Sequence, residues 1–208
     1  MKLTLAIAVA SILGATALPA LAHPYELGIT IEPTIVGLPA FADRKSIPTT
    51  AIAAGGGLGF EFSPLKYLSI TSRLAYAHGL TESHVGQATF VNRTGEYYFS
   101  QDAAYAVAGL RIETPTWFLP VQFFAEAQGG VAVLIQDQQQ LIGPTGPYTA
   151  HFTTIVQTEP LIGFSGGMFG RVTDHVRLNA EGTAFLMPVG RTLVGFGFTL
   201  GITFLFFG

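Results

Sequence analysis

The sequence predicts an all-β fold: an eight-stranded, antiparallel, up-and-down transmembrane β-barrel. Three observations lead there. In the stretch VGFGFTLGITFLFFG, Val194, Phe196, Phe198, Leu200, Ile202, Phe204 and Phe206 alternate with Gly195, Gly197, Thr199, Gly201, Thr203 and Leu205. Strict alternation sends successive side chains to opposite faces, so this is a strand. A bulky face opposed by small, uncharged residues suits lipid as the outer solvent. Second, hydrophobic residues make up 49% of the chain and charged ones 11%, too few charges for the exposed faces and edges of a water-soluble sheet. Third, no apolar run after Ala22 reaches the roughly 18 residues of a spanning helix. A closed barrel is the remaining way to pair every backbone group in lipid.

Residues 1–22 read as a secretory signal peptide: Lys2, an apolar run from Leu3 to Leu18, and the small-x-small site Ala20-Leu21-Ala22. Residues 23–208 are then one barrel domain. The absence of cysteine removes disulfides and thiol chemistry from consideration. The balance of 10 basic against 13 acidic residues argues against nucleic acid as a partner.

Eight segments carry a period of two. In the first, Tyr25, Leu27, Ile29, Ile31 and Ile35 oppose Glu26, Gly28, Thr30, Glu32 and Thr34. In the second, Ile52, Ala54, Leu58, Phe60 and Phe62 oppose Ala53, Gly55, Gly57, Gly59 and Glu61. The third sets Leu68, Ile70, Leu74 and Tyr76 against Ser69, Thr71, Arg73, Ala75 and Ala77. The fourth, from Tyr97 to Glu113, is less regular: Ala104, Ala106, Ala108, Leu110 and Ile112 face lipid and Tyr105, Arg111 and Glu113 face inward unless a bulge near Ala108 intervenes. The fifth opposes Val121, Phe123, Ala125, Val131, Val133 and Ile135 to Gln122, Glu126, Gln128 and Gly130. The sixth opposes Ile162, Phe164 and Met168 to Gln157, Glu159, Gly163, Ser165 and Gly167. The seventh opposes Val176, Leu178, Ala180, Ala184 and Leu186 to Arg177, Asn179, Glu181 and Thr183. The C-terminal strand is the eighth.

Connections alternate in length. Short ones at residues 63–67, around Pro115 and at 172–175 read as periplasmic turns, and long ones at 79–96 and 136–154 as extracellular loops. Tyr25, Tyr67, Trp117, Phe118 and Phe206 then fall at one height, an aromatic girdle at the periplasmic rim.

Thr199, Gly201, Phe204 and Phe206 fit polar-x-Gly-x-x-aromatic-x-aromatic. This resembles the C-terminal signal by which bacterial outer-membrane barrels reach their assembly machinery, although Phe207 and Gly208 follow the last aromatic. With the strand count and turn lengths, the chain resembles the small eight-stranded outer-membrane barrels such as the OmpA transmembrane domain and OmpX. The resemblance implies outer-membrane location, lipid and the barrel-assembly machinery as partners, and a monomer.

The expected interior collects Glu26, Glu32, Glu61, Arg73, Arg111, Glu113, Glu126, Glu159, Arg177 and Glu181. Counted from the turns, Glu26, Glu61, Arg111, Glu113 and Arg177 form a lower layer. Arg73 faces Glu126 and Glu181 at mid-height, with Glu32 and Glu159 just above. Eight strands enclose only enough space for side chains, and buried charges must pair or neutralise. A salt-bridge plug and a wet acidic cavity with a protonated glutamate both fit.

Catalytic and metal sites are not expected, nor is a cofactor. Glu82-Ser83-His84 holds nucleophile and base types beside His78 in one loop, with His151 in another, but adjacency does not orient a nucleophile on its base. The five histidines lack metal-ligand spacing. Gly55-Gly56-Gly57 sits inside a strand, not before a helix, and serves curvature or the approach of a bulky interior group rather than phosphate. The expected role is structural or interactive, with loops displayed to a surface partner. A narrow channel for small solutes is the alternative, and a lipid-modifying enzyme a weaker one.

Overall fold

The computed structural model describes residues 25–39, 50–80, 82–88, 93–115, 121–143, 146–148, 154–189 and 191–207. All regular elements among them are strands: β1 (Glu26–Pro39), β2 (Thr50–Leu65), β3 (Leu68–Gly79), β4 (Glu82–Ala88), β5 (Arg93–Glu113), β6 (Val121–Gly143), β7 (Gly146–Tyr148), β8 (Ile155–Thr173), β9 (Val176–Val189) and β10 (Arg191–Phe207). The expected signal peptide, Trp117 and Phe118 lie outside the described residues.

Every described pairing is antiparallel, and the sheet runs β4-β5-β3-β2-β1-β10-β9-β8-β6-β7 with β5 also bonded to β6. That extra pairing closes the sheet. β3 and β4 bond successive lengths of β5, so they form one interrupted stave. Among the described residues the short β7 pairs only with the top of β6. The wall therefore has eight staves, β1, β2, β3/β4, β5, β6, β8, β9 and β10, closed on itself so that no edge of the wall is left unpaired.

Closure rests on β1 against β10, with Leu27 opposite Phe206, Ile31 opposite Ile202 and Ile35 opposite Phe198. Two hydroxyl pairs reinforce this seam from inside: Thr30 Oγ1 to Thr203 Oγ1 at 2.9 Å and Thr34 Oγ1 to Thr199 Oγ1 at 3.0 Å. At the seam's base Tyr25 has φ = 70°, a left-handed conformation costly for a residue with a Cβ. Its N–H is held by Ser63 O at 2.7 Å.

Alternation sorts the staves. Leu58, Phe60, Leu74, Leu110, Phe123, Phe164, Phe198 and Ile202 are exposed on the outer wall. Their partners by parity are buried inside. β5 keeps its alternation through Ala108 without a bulge, placing Tyr105, Arg111 and Glu113 inward. Gly55 and Gly57 of β2 serve the close approach of β3 and not a bulky interior group. A Cβ on Gly57 would meet the Ala75 Cβ at 2.8 Å and Leu74 O at 2.9 Å on β3.

The long connections differ from expectation. Residues 79–96 and 136–154 were expected to loop freely, but β4 pairs with β5 from Glu82–Phe99 to Ala88–Arg93. Likewise β5 and β6 stay paired as far as Glu96–Ile142. β5 has 21 residues and β6 has 23, about twice the 9–11 that span a bilayer. The reason is that ladder bonds need only backbone groups, whereas the alternation that reveals a strand needs one wet and one apolar face. His78 and His84 accordingly stand in strands, β3 and β4, and not in a loop.

Candidate functional site in the lumen and on the wall

The lumen is filled in two storeys. The storey nearer the short turns is ionic. Arg73, on β3, sends both terminal nitrogens to Glu181 on β9, at 2.8 and 2.7 Å, and its Nε lies 2.5 Å from Glu32 Oε1 on β1. Arg111, on β5, donates through Nε to Glu126 Oε2 at 2.9 Å and through NH1 to Glu61 Oε2 at 2.8 Å. Its NH2 also lies 3.6 Å from Glu181 Oε2, joining the two groups. Arg177 holds Glu61 through two nitrogens, at 3.1 and 2.5 Å. Hydroxyls complete the carboxylates: Thr71 Oγ1 donates to Glu126 at 2.9 Å, Thr183 Oγ1 to Glu181 at 3.0 Å and Ser69 Oγ to Glu113 at 3.1 Å.

All ten charged residues expected in the lumen are buried there; Arg73 meets Glu181, and Arg111 and Arg177 meet Glu61, but Glu126 departs from the layer count. Glu126 was expected to face Arg73. It stands directly across the β5–β6 ladder from Arg111 and pairs with it, while Arg73 takes Glu32 with Glu181. Counting from turns misplaced Glu126 because strand register, not turn distance, decides which residues meet. An eleventh charge escaped the reading. Arg171 of β8 is buried and pairs with Glu26 of β1. Its signal was available, since Arg171 shares parity with Ser165 and Gly167 on the inner face.

Two aromatic rings stiffen this storey. The Arg111 guanidinium lies 4.2 Å from the Phe124 ring centroid, and that of Arg177 lies 4.3 Å from Phe169. Desolvated cation–π contacts of this kind contribute about 2 kcal/mol. A cavity of about 20 Å³ remains beside Thr30, Glu32, Thr71, Arg73, Glu126 and Asn179, room for about one water.

The storey farther from the short turns is apolar. Val36, Ala75, Ala77, Ala103, Tyr105, Val107, Ala132, Leu134, Leu161, Phe185 and Met187 form one buried cluster, with the Tyr105 and Phe185 rings 5.6 Å apart. Glu159, whose carboxylate accepts from the Gln157 amide, stands beside this cluster. Ala75, Ala77 and Tyr105 were expected on inner faces, but the inner face of β9 was followed only as far as Thr183; Phe185 and Met187 carry the same parity and complete the cap.

The terminal pattern divides by parity. Thr199 and Gly201 face the lumen, and a Cβ on Gly201 would lie 2.9 Å from Cγ of Asn179. Phe204 and Phe206 face outward and are exposed. Of the expected girdle, Tyr25 is exposed beside Phe206's partner Leu27. Tyr67 lies in the β2–β3 turn with Lys66 Nζ 5.3 Å over its ring.

A closed eight-stave wall, apolar outside and ionic within, is an arrangement with known relatives in three dimensions. The sequence matches no family model and no curated protein. Among solved structures, Neisserial surface protein A aligns at a TM-score of 0.56 with 11% identity, covering 86% of this chain and 96% of that one. The attachment invasion locus protein Ail of Yersinia pestis aligns at 0.55 with 11% identity, covering 88% of this chain and 100% of that one. This chain has the fold of the small eight-stranded outer-membrane barrels. A further structure of Ail, in complex with the heparin analogue sucrose octasulfate, aligns at 0.53 with 9% identity over 88% of this chain and 100% of that one.

Proposed function

We propose that this eight-stranded barrel resides in an outer membrane as a non-enzymatic wall element that displays a raised β-sheet to a surface partner. The observation that carries this reading is the division of labour along the barrel. The outer wall is apolar and the lumen is filled by an ion network beneath an apolar cap, while β5 and β6 continue well past the length a bilayer requires. A filled lumen supports a structural role over a solute channel.

Ail has been crystallised with a sulfated sugar analogue, which makes a surface-ligand role a natural model. A polyanion fits this chain poorly. Residues 82–99 and 136–154 contain Glu82, Glu96 and Asp137 against Arg93, and no lysine. They are rich in glutamine, threonine, glycine and tyrosine, which favours a partner held by hydrogen bonds and ring contacts. The C-terminal pattern supports handling by the barrel-assembly machinery.

The test is fractionation with conductance. The protein is expected in the outer-membrane fraction, with a gel mobility that changes on boiling, and with little steady conductance in planar bilayers. Recovery as a soluble periplasmic protein would end the membrane reading. Steady wild-type conductance would replace the wall element with a channel.

A further inference from the structure

The lumen network holds more carboxylates than guanidiniums. Among the described residues Arg73, Arg111 and Arg177 are the cations that reach Glu32, Glu61, Glu126 and Glu181, three against four. Arg171 is occupied at the turn end by Glu26, and Glu113 sits there on the Ser69 hydroxyl. The four carboxylates are not held alike. Glu61 meets Arg111 once and Arg177 twice. Glu181 takes both terminal nitrogens of Arg73 and the Thr183 hydroxyl. Glu126 takes Arg111 and the Thr71 hydroxyl. Glu32 has the weakest hold: the Nε of an Arg73 whose other nitrogens already serve Glu181.

A second observation marks where this imbalance is met. Glu32 is 1% exposed and lines the cavity of about 20 Å³ together with Thr30, Thr71, Glu126 and Asn179. Asn179 of β9 is 7% exposed, and its Oδ1 accepts no hydrogen bond from the described residues. A buried acceptor without a donor is costly, so this corner of the lumen calls for a hydrogen that a fully ionised network does not supply. Around Glu32 stand Arg73 of β3, Arg111 and Tyr105 of β5, Glu126 of β6, Glu61 of β2 and Glu181 of β9. Its other neighbour, β10, contributes the uncharged Thr199 and Thr203.

The geometry points to a buried proton-binding site framed by Glu32 and Asn179. As the barrel closes, the Glu32 carboxylate takes one proton from solvent, which brings the ionised acids and the three cations into balance. The carboxyl O–H then donates across the cavity, through one water, to Asn179 Oδ1. The site deepens the filled-lumen reading above and rests on it. Linkage gives the direction of its effect. An unfolded glutamate loses its proton near about pH 4.3, so above that the folded barrel binds one proton more. Stability therefore falls as pH rises, until the folded site releases its proton. The better-held Glu61, Glu126 and Glu181 are ionised in both states over that range and do not contribute.

The experiment uses the full chain refolded in lipid bilayers, with infrared spectra and urea unfolding recorded between about pH 5 and 9. Wild type near neutral pH is expected to show the carbonyl band of a protonated carboxylic acid. Glu32→Gln, a neutral isostere of that acid, should remove one acid's intensity from the band. It should keep wild-type stability at the acid end and lose one proton from the pH slope of unfolding. Asn179→Leu should move the band to higher frequency, because a carboxyl that loses its acceptor has a stiffer C=O; a merely structural role would not do this. No band in wild type, a band unchanged by Glu32→Gln, or equal pH slopes in the two would overturn the site. Should Glu32→Gln fail to fold, an unmoved band in Asn179→Leu overturns it equally. Steady wild-type conductance strikes the filled-lumen reading, whereas a sealed barrel without the band strikes only this one.

Discussion

Arg73 and Glu181 stand on staves separated by three others, yet the guanidinium meets the carboxylate through both terminal nitrogens, at 2.8 and 2.7 Å. This fork-to-fork contact spans the lumen and ties opposite walls together. Planar bidentate pairing is what arginine supplies and lysine does not.

Removing that cation leaves Glu181 and Glu32 buried together without it. Arg73→Ala is therefore expected to destabilise the barrel by about 3–5 kcal/mol, read as a lower urea midpoint in detergent or lipid. Arg73→Met with Glu181→Gln should lose less than the two single changes combined. Strict additivity would show that the pair is not coupled.

The apolar cap makes a separate prediction. Phe185 is fully buried and packs against Tyr105. Phe185→Ala should cost about 3–5 kcal/mol through lost burial and a cavity, again read from the unfolding midpoint. Conductance should stay low, because the ion network below remains intact. A large rise in conductance would make the cap the true seal.

Gly201 belongs to the terminal pattern, yet its space is taken by Asn179. Gly201→Val should reduce stability by about 1–3 kcal/mol through overpacking, with partial rescue by Asn179→Ala. By contrast, Phe204→Ser with Phe206→Ser alters outward positions and leaves the ion network untouched. That variant should cut the folded amount in cells sharply while purified protein still refolds in lipid. Loss of refolding as severe as the loss in cells would point to a structural role for the two rings and not an assembly one.

The raised sheet predicts slow exchange where the sequence suggests loops. Amides in the paired stretch from Glu96 to Ser100 and its β6 partners Asp137 to Ile142 should be protected in hydrogen-exchange measurements. Exchange as fast as in an open loop would remove the platform on which a surface partner is proposed to dock.

By itself the sequence determined the eight staves of the wall and their two faces, though not the paired extensions above it, because side-chain alternation is a local property. Phe198 against Thr199, or Leu74 against Arg73, declares its side without knowledge of any neighbour. That local rule also sent ten charges inward. What the tertiary structure decided is who meets whom. Glu126 pairs with Arg111, and Arg171 reaches Glu26, because stave tilt and register set the relative heights of residues that are far apart in the chain. The cap of Tyr105 and Phe185 arises the same way. Each contact joins residues from different staves, and their spacing appears only when the sheet closes.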